Sequence, residues 1–130
     1  MAIASINPAD GAVLKEFAPW RDGQIEDALR GAALAAPAWA AVPLPERCSL
    51  MAAAARVLRR DQERLARLIT LEMGKLIKEA RAEIEKCAVG CEHYAEHGPR
   101  MLADEAVATD AARSLVAYQP LGTVLAIMPW

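Results

Sequence analysis

Apolar residues recur three and four positions apart along most of the chain between residues 22 and 97, which is the spacing of one face of a helix. Local signals divide this stretch. Pro37 limits the first helix, Gly74 permits a left-handed turn at the end of the third, and Gly98 with Pro99 stops the fourth. The pattern predicts four helices, at about 22–36, 45–60, 61–73 and 77–97.

Shorter apolar runs flank the helices at both ends of the chain. Near the N terminus they surround Asn7 and Gly11, residues that favour turns, so residues 3–17 are predicted to form a small β-hairpin. Two strands are predicted after the helices, the second nearly continuous in apolar residues, as is typical of a strand buried on both faces of a sheet. These strands span about 113–119 and 124–128. The predicted fold class is α/β, mostly helical, with a short N-terminal β-hairpin and C-terminal strands.

The chain stops directly after its most apolar run, on Pro129 and Trp130, whereas domains usually end in a polar surface segment. Apolar residues make up 55% of the chain but aromatic residues only 5%, and alanine fills little volume. The core available to this chain alone is therefore thin. We expect residues 1–130 to be the front part of a longer protein.

Charge and cysteine content limit the classes of function that the chain can have. The net charge is −2, and basic residues alternate with acidic ones instead of forming a stripe, so no nucleic-acid or anionic-membrane partner is expected. No apolar segment is long enough to cross a bilayer. Three cysteines, an odd number, predict reduced thiols in a cytoplasmic protein.

A metal site is the first candidate chemistry, because Cys87 and Cys91 are spaced four apart, as are His93 and His97. On a helix the two pairs lie roughly 120° or more apart, so one ion cannot collect all four side chains. Core cysteines, solvent-facing histidines and no metal are expected. Cys48 lies near a helix start, where a thiol pKa can fall, but a structural role is favoured because no histidine or acid accompanies it in sequence.

The end of the chain is the second candidate. A buried strand that delivers its C-terminal end to Trp130 would place backbone carbonyls and an indole at the rim of a sheet, where open α/β folds bind ligands. The alternative is a plain core strand with Trp130 packed against it, and spacing alone favours that alternative.

The run PLGTVLAIMPW, residues 120–130, resembles the first nucleotide-binding strand of aldehyde dehydrogenases. Other landmarks follow in that family's order: INPADG at 6–11, Trp39 with Pro45, Glu46 and Arg47, LEMGK at 71–75 and EARAEIEKCA at 79–88. Together with YAEHGPRML at 94–102, the ending is most similar to bacterial NAD-dependent succinate semialdehyde dehydrogenases. The resemblance implies that residues 1–130 are an incomplete N-terminal portion of a Rossmann-like NAD-binding domain.

The resemblance also implies an activity, oxidation of an aldehyde such as succinate semialdehyde to its acid through a cysteine thiohemiacetal, with hydride transfer to NAD or, alternatively, NADP. Ile127, Met128, Pro129 and Trp130 match the stretch that contacts the cofactor in that family. The oxyanion-hole asparagine, the nucleophilic cysteine and the glutamate base have no counterpart here, and none of the three cysteines matches the nucleophile.

We therefore expect the chain alone to be inactive and the whole enzyme to be a homo-dimer or tetramer. The competing hypothesis is a stand-alone helical interaction module that binds a partner through uncovered apolar surface.

Overall fold

The computed structural model describes residues 3–128 of the 130. Within that range two strands come first, four helices follow, and two short strands come last. The elements are β1 (Ile3–Ile6), β2 (Val13–Phe17), α1 (Asp22–Ala41), α2 (Leu44–Arg60), α3 (Gln62–Met73), α4 (Ile77–Met101), β3 (Glu105–Ala106) and β4 (Leu115–Val116). The prediction of a mostly helical chain with a short N-terminal hairpin is confirmed.

The hairpin of β1 and β2 is antiparallel, with Ile3 opposite Phe17. Its turn is held by Asn7, whose backbone N–H donates to the Ala12 carbonyl at 2.8 Å and whose side-chain oxygen accepts from the Ala9 N–H at 3.0 Å. Gly11 adopts a φ of 75°, which closes the turn at little steric cost. Asparagine and glycine therefore act here as the sequence predicts.

The helices α2, α3 and α4 pack together and form what we call the helical layer. Its buried side chains are small: Ala55 from α2, Ala66 from α3, and Ala80, Ile84 and Ala88 from α4. Alanine lets helix backbones approach closely but removes little apolar surface from water. The core is therefore thin, as the composition predicts.

Gly74 links the helical layer to the hairpin. It ends α3 in the left-handed conformation, with φ 70°, and its N–H donates to the Thr70 carbonyl at 2.9 Å. A Cβ at this position would lie 3.1 Å from Cγ of Pro8, which belongs to the hairpin turn. Nearby, the Ser5 hydroxyl donates to Glu72 at 3.0 Å. The absence of a side chain at Gly74 thus allows the hairpin to rest against the end of α3.

Two helices run past their predicted ends. The first continues through Pro37 to Ala41, and the fourth continues through Gly98 and Pro99 to Met101. A proline removes one backbone donor, but the alanines around Pro37 have the highest helix propensity and sustain the helix beyond it. In α4 the last turn is closed by the Leu102 N–H, which donates to the Gly98 carbonyl at 3.0 Å.

The predicted strand at 124–128 is absent. That segment is irregular, and the exposed fraction of its large apolar side chains runs from 72% for Val124 to 86% for Ile127. A strand forms only when its backbone N–H and C=O groups pair with a neighbour, and within residues 3–128 no strand lies beside it. The apolar pattern predicted a strand buried on both faces of a sheet, but the pattern alone cannot supply the neighbouring strands.

The strand predicted at 113–119 is also shorter than expected. Only Leu115 and Val116 are in strand conformation, and they pair with Ala106 and Glu105, from a segment for which the sequence predicts no element. The Tyr118 hydroxyl donates to the Glu105 carboxylate at 2.9 Å and extends this ribbon. The sequence does not predict strand β3, because two residues are too few to show the alternation of apolar and polar side chains that indicates a strand.

Candidate functional site

A cleft of about 800 Å³ lies between α1 and the loop that precedes the predicted cofactor stretch. We call it the α1–loop cleft. One wall is the small-residue face of α1, the other is the loop at 120–124, and Arg47 of α2 closes one end. Its lining residues are Ala32, Ala33, Ala35, Ala36, Pro37, Trp39, Ala40, Arg47, Pro120, Leu121, Gly122, Thr123 and Val124.

Thr123 fastens the loop to the helix. Its hydroxyl donates to the carbonyl of Ala32 at 3.1 Å, and that carbonyl can accept a second bond because it has two lone pairs. Gly122 adopts a φ of 100°, a conformation that a side chain would strain. The loop position is therefore set by one hydroxyl and one glycine, with the apolar Leu121 left 97% exposed.

Arg47 is the one basic side chain that lines the α1–loop cleft. Its Nε is buried and has no hydrogen-bond partner within residues 3–128. A buried donor without an acceptor costs about 1–3 kcal/mol, so such groups usually have a partner. The Nε of Arg47 is therefore a buried donor that an acceptor bound in the cleft would satisfy.

The structure describes two of the four predicted cofactor-contacting residues, Ile127 and Met128. Ile127 and Met128 are 86% and 74% exposed, and neither lines the α1–loop cleft. Pro129 and Trp130 lie outside the described residues. Their assignment remains a prediction that rests on the resemblance.

The three cysteines are all free thiols. Cys48 is half-buried in a smaller cleft of about 270 Å³ between α2 and the end of α4, and Arg47 lines both this cleft and the α1–loop cleft. Cys91 is half-buried, but Cys87 is exposed, so the prediction that both face the core is wrong for Cys87. The buried stripe of α4 is narrower than predicted, because only its Ala80, Ile84 and Ala88 side is covered by the other helices.

No group of three or more histidine, cysteine, aspartate or glutamate side chains converges to hold a metal ion within residues 3–128. Over the same residues, no helix combines the length and the apolarity needed to cross a membrane.

The strongest electrostatic feature lies in the helical layer, away from the α1–loop cleft. Arg59 of α2 reaches across to α4, where it donates to Glu85 at 2.8 Å and also bonds to Glu92. The hydrogen bond from Arg59 lowers the pKa of the Glu92 carboxyl, and the bonds to Glu92 and then Glu85 raise the pKa of the guanidinium. These ion pairs join α2 to α4 and are accessible to solvent.

A second ion pair joins α3 to α4. Arg81 donates from Nε and Nη2 to Glu63 at 2.6 and 2.9 Å, which lowers the pKa of the Glu63 carboxyl. The Gln62 side chain donates to the Arg81 carbonyl at 3.1 Å. Interhelical partners separated by 18 or more positions carry no signal in a single sequence.

The architecture occurs in known oxidoreductases. The structure of succinic semialdehyde dehydrogenase from Streptococcus pyogenes in complex with NADP+ superimposes with a TM-score of 0.79 and 32% identity, over 85% of this chain and 24% of that one. The aldehyde dehydrogenase family model matches residues 1–130. The chain belongs to the aldehyde dehydrogenase family.

Two similar proteins are named as succinate-semialdehyde dehydrogenases. The chain is 42% identical over 130 residues to a protein of Synechocystis sp. named as a probable succinate-semialdehyde dehydrogenase (NADP(+)), covering 100% of this chain and 29% of the relative. It is 43% identical over 127 residues to succinate semialdehyde dehydrogenase (NAD(P)+) Sad of Escherichia coli, covering 97% of this chain and 27% of Sad. The chain thus spans less than a third of the length of these relatives.

Proposed function

We propose that this chain is the N-terminal part of the cofactor-binding domain of an NAD(P)-dependent dehydrogenase that oxidises succinate semialdehyde to its acid. One observation carries the proposal: the identity of 42–43% to succinate-semialdehyde dehydrogenases extends over 97–100% of the chain. A likeness that spans hairpin, helices and C-terminal run alike supports a shared role for the whole segment.

The cofactor side of this proposal rests on Ile127, Met128, Pro129 and Trp130. Ile127 and Met128 fit such a role, because their apolar side chains are exposed and the backbone from Val124 to Met128 makes no hydrogen bond within the described residues. An apolar surface with available amide groups suits the face of a nicotinamide ring and its polar substituents. When bound, NAD(P) supplies the hydride acceptor. Relatives named for NADP(+) and for NAD(P)+ support either form.

The chain alone is proposed to be inactive. A nucleophilic cysteine must be activated and must lie beside the cofactor. Cys48 lies in the cleft between α2 and α4, and Cys87 lies in the surface hollow formed with Lys75, Glu83 and Lys86. Residues 124–128 line neither of these clefts. In this proposal the chain contributes cofactor contacts, and other residues supply the bond-making groups.

The test measures formation of reduced nicotinamide by the purified protein that carries this chain. Succinate semialdehyde is compared with butyraldehyde, which has the same number of carbons and no carboxylate, each with NAD+ and with NADP+. We expect a kcat/KM for succinate semialdehyde at least about tenfold higher, because a site built for a carboxylate loses a charged hydrogen bond with the other substrate.

Equal rates with the two aldehydes would overturn the proposed substrate, and no reaction with any aldehyde would overturn the proposed activity. The 130-residue chain is the matched control. It should form no reduced nicotinamide, and aldehyde-dependent formation by this chain would contradict its proposed share of the enzyme.

Exposed apolar surface favours a second candidate, the stand-alone interaction module. Leu34 on α1 is 74% exposed, Trp20 is 63% exposed and Leu121 is 97% exposed. Such a surface is normally covered by further polypeptide or by a partner. Sequencing the gene past the codon for Trp130 separates the two: an immediate stop codon favours the module, and continuation of the reading frame favours the enzyme.

We further propose a cytoplasmic protein that assembles as a homo-dimer or tetramer. Three free thiols support a reducing compartment. The two-stranded ribbon of β3 and β4 has exposed strands that could be extended by another chain. Light scattering of the purified protein measures the assembly, and a monomer would contradict it.

A further inference from the structure

A pair of histidines on α4 lies outside the site described above. His93 and His97 are separated by one helical turn, their ring centres are 4.5 Å apart, and their planes cross at 73°. His93 is exposed and His97 is half-buried. Both rings are therefore held on one face of a helix, and at least one is open to solvent.

The separation of the rings matches the requirement of a chelate. An imidazole nitrogen binds a divalent transition metal at about 2.0–2.1 Å and the ring centre lies roughly 1.1 Å further on, so two ligands at about 90° have ring centres roughly 4.5 Å apart. Histidines four positions apart on a helix are a recurring way to supply two such ligands. In the structure the two rings meet edge to face at 4.5 Å, and a chelate would form when each ring turns about its own bond to direct one nitrogen toward a shared ion.

The helix that carries the pair is well anchored. Near the histidines, Tyr94, Gly98 and Met101 line the cleft between α4 and α2, and a Cβ at Gly98 would lie 3.9 Å from Sγ of Cys48 on α2. Ala88, one turn before this region, is fully buried. A rigid backbone keeps the two imidazoles close before any metal arrives, and this reduces the entropy lost on binding.

The charged side chains near the two histidines do not prevent a cation from binding there. Glu92 is engaged by Arg59, Glu96 lies one turn from His93, and Arg100 lies one turn beyond His97. Since no third ligand converges on the pair within residues 3–128, water completes the coordination. The four-residue site with Cys87 and Cys91 stays excluded by the angle between the two faces.

We propose that His93 and His97 form a two-imidazole chelate for a divalent transition-metal ion. Imidazole suits Ni²⁺, Cu²⁺ and Zn²⁺, and tetragonal or octahedral ions accept two nitrogens at a right angle. The site is independent of the dehydrogenase proposal.

The test titrates Ni²⁺ into purified, tag-free protein and follows binding by calorimetry. Nickel is the probe because Cu²⁺ would oxidise the three thiols. The matched variant combines Ala95→His with His97→Ala, which keeps two histidines but puts them two positions apart, on different faces of α4. We expect one Ni²⁺ per wild-type chain and an affinity at least about tenfold lower in the variant, because the second ligand is no longer held close to the first.

Circular dichroism of both proteins shows whether α4 is intact. A second readout is the melting temperature, which Ni²⁺ should raise in the wild type and leave unchanged in the variant, because the chelate exists only in the folded helix. Equal Ni²⁺ affinity in the two proteins, or a wild type that binds no Ni²⁺, would overturn the proposal.

Discussion

The helical layer and the α1–loop region differ in how far each completes its own structure. The helical layer buries a stripe of side chains and joins its helices through Arg59 and Arg81. Helix α1 buries no residue, and the loop beside it is held by the one hydroxyl of Thr123. The first region packs mainly on itself, whereas the second has the surface of an element that normally packs against more protein.

The sharpest test of this difference substitutes one large apolar residue in each region of the 130-residue chain. Ile84→Ala removes the largest buried side chain of the helical layer and should lower the free energy of unfolding by about 2–5 kcal/mol. Leu34→Ala on α1 removes a side chain that is 74% exposed and should change it by less than about 0.5 kcal/mol. Urea denaturation measures both, and equal losses would show that the two regions are not distinct.

Gly74 tests how the helical layer holds the hairpin. Gly74→Ala should lower the free energy of unfolding by about 1–2 kcal/mol, because its left-handed backbone disfavours a side chain and the new Cβ would press on Pro8 at 3.1 Å. Gly90→Ala is the matched control, since nothing lies within 4 Å of its Cβ position in α4. There alanine should stabilise by about 0.5–1 kcal/mol. Two losses of similar size would argue against a special conformation at Gly74.

The Arg59 cluster makes the stability of the helical layer depend on pH. Because the folded-state pKa of Glu92 is lowered, its contribution is present above the unfolded glutamate value of about 4.3 and is lost as pH falls through the folded value. Urea denaturation at several pH values should show Glu92→Gln less stable than the wild type at neutral pH, with the difference vanishing in acid. Glu96→Gln, a neighbouring acid on the same helix, is the control. A difference between Glu92→Gln and wild type that persists in acid would exclude the ion pair as its cause.

The smallest effect is expected at the loop. Thr123→Val removes the hydrogen bond to Ala32 at nearly constant shape and should cost about 0.5 kcal/mol, the low end for a bond exposed to water. The global free energy of unfolding should barely change, while limited proteolysis after Leu121 should become faster. Thr109→Val, in the separate β3–β4 ribbon, is the control. Unchanged cleavage would mean that Thr123 does not hold the loop.

Elements with local causes could be predicted from the sequence. Gly74 ends a helix through its own backbone freedom, and Asn7 folds a turn through its own side chain, so both act without distant partners. The run at 124–128 is different, because its conformation depends on a neighbouring strand that its sequence does not contain. The contact between Arg59 and Glu85 joins residues 26 positions apart, and no local pattern announces it.

The candidate site residues also depend on information that a local sequence pattern does not contain. Ile127 and Met128 were found only through resemblance to a family, since an exposed apolar pair has no chemistry that marks it. Arg47 was part of the resemblance as well, but its unpartnered Nε became visible only when α1 and the loop were placed around it. Cys87 was misplaced because the width of a buried stripe depends on which helices cover it.

The contact between Pro8 and Gly74 bears on the order of events during synthesis. The hairpin leaves the ribosome first, yet the glycine against which it rests is made 66 residues later, the difference between positions 8 and 74. At about 5–20 residues per second, the strands remain undocked for several seconds, with both edges open to other chains. The Asn7 and Asp10 side chains, which accept hydrogen bonds from the Ala9 and Ala12 N–H groups, favour the turn during that interval.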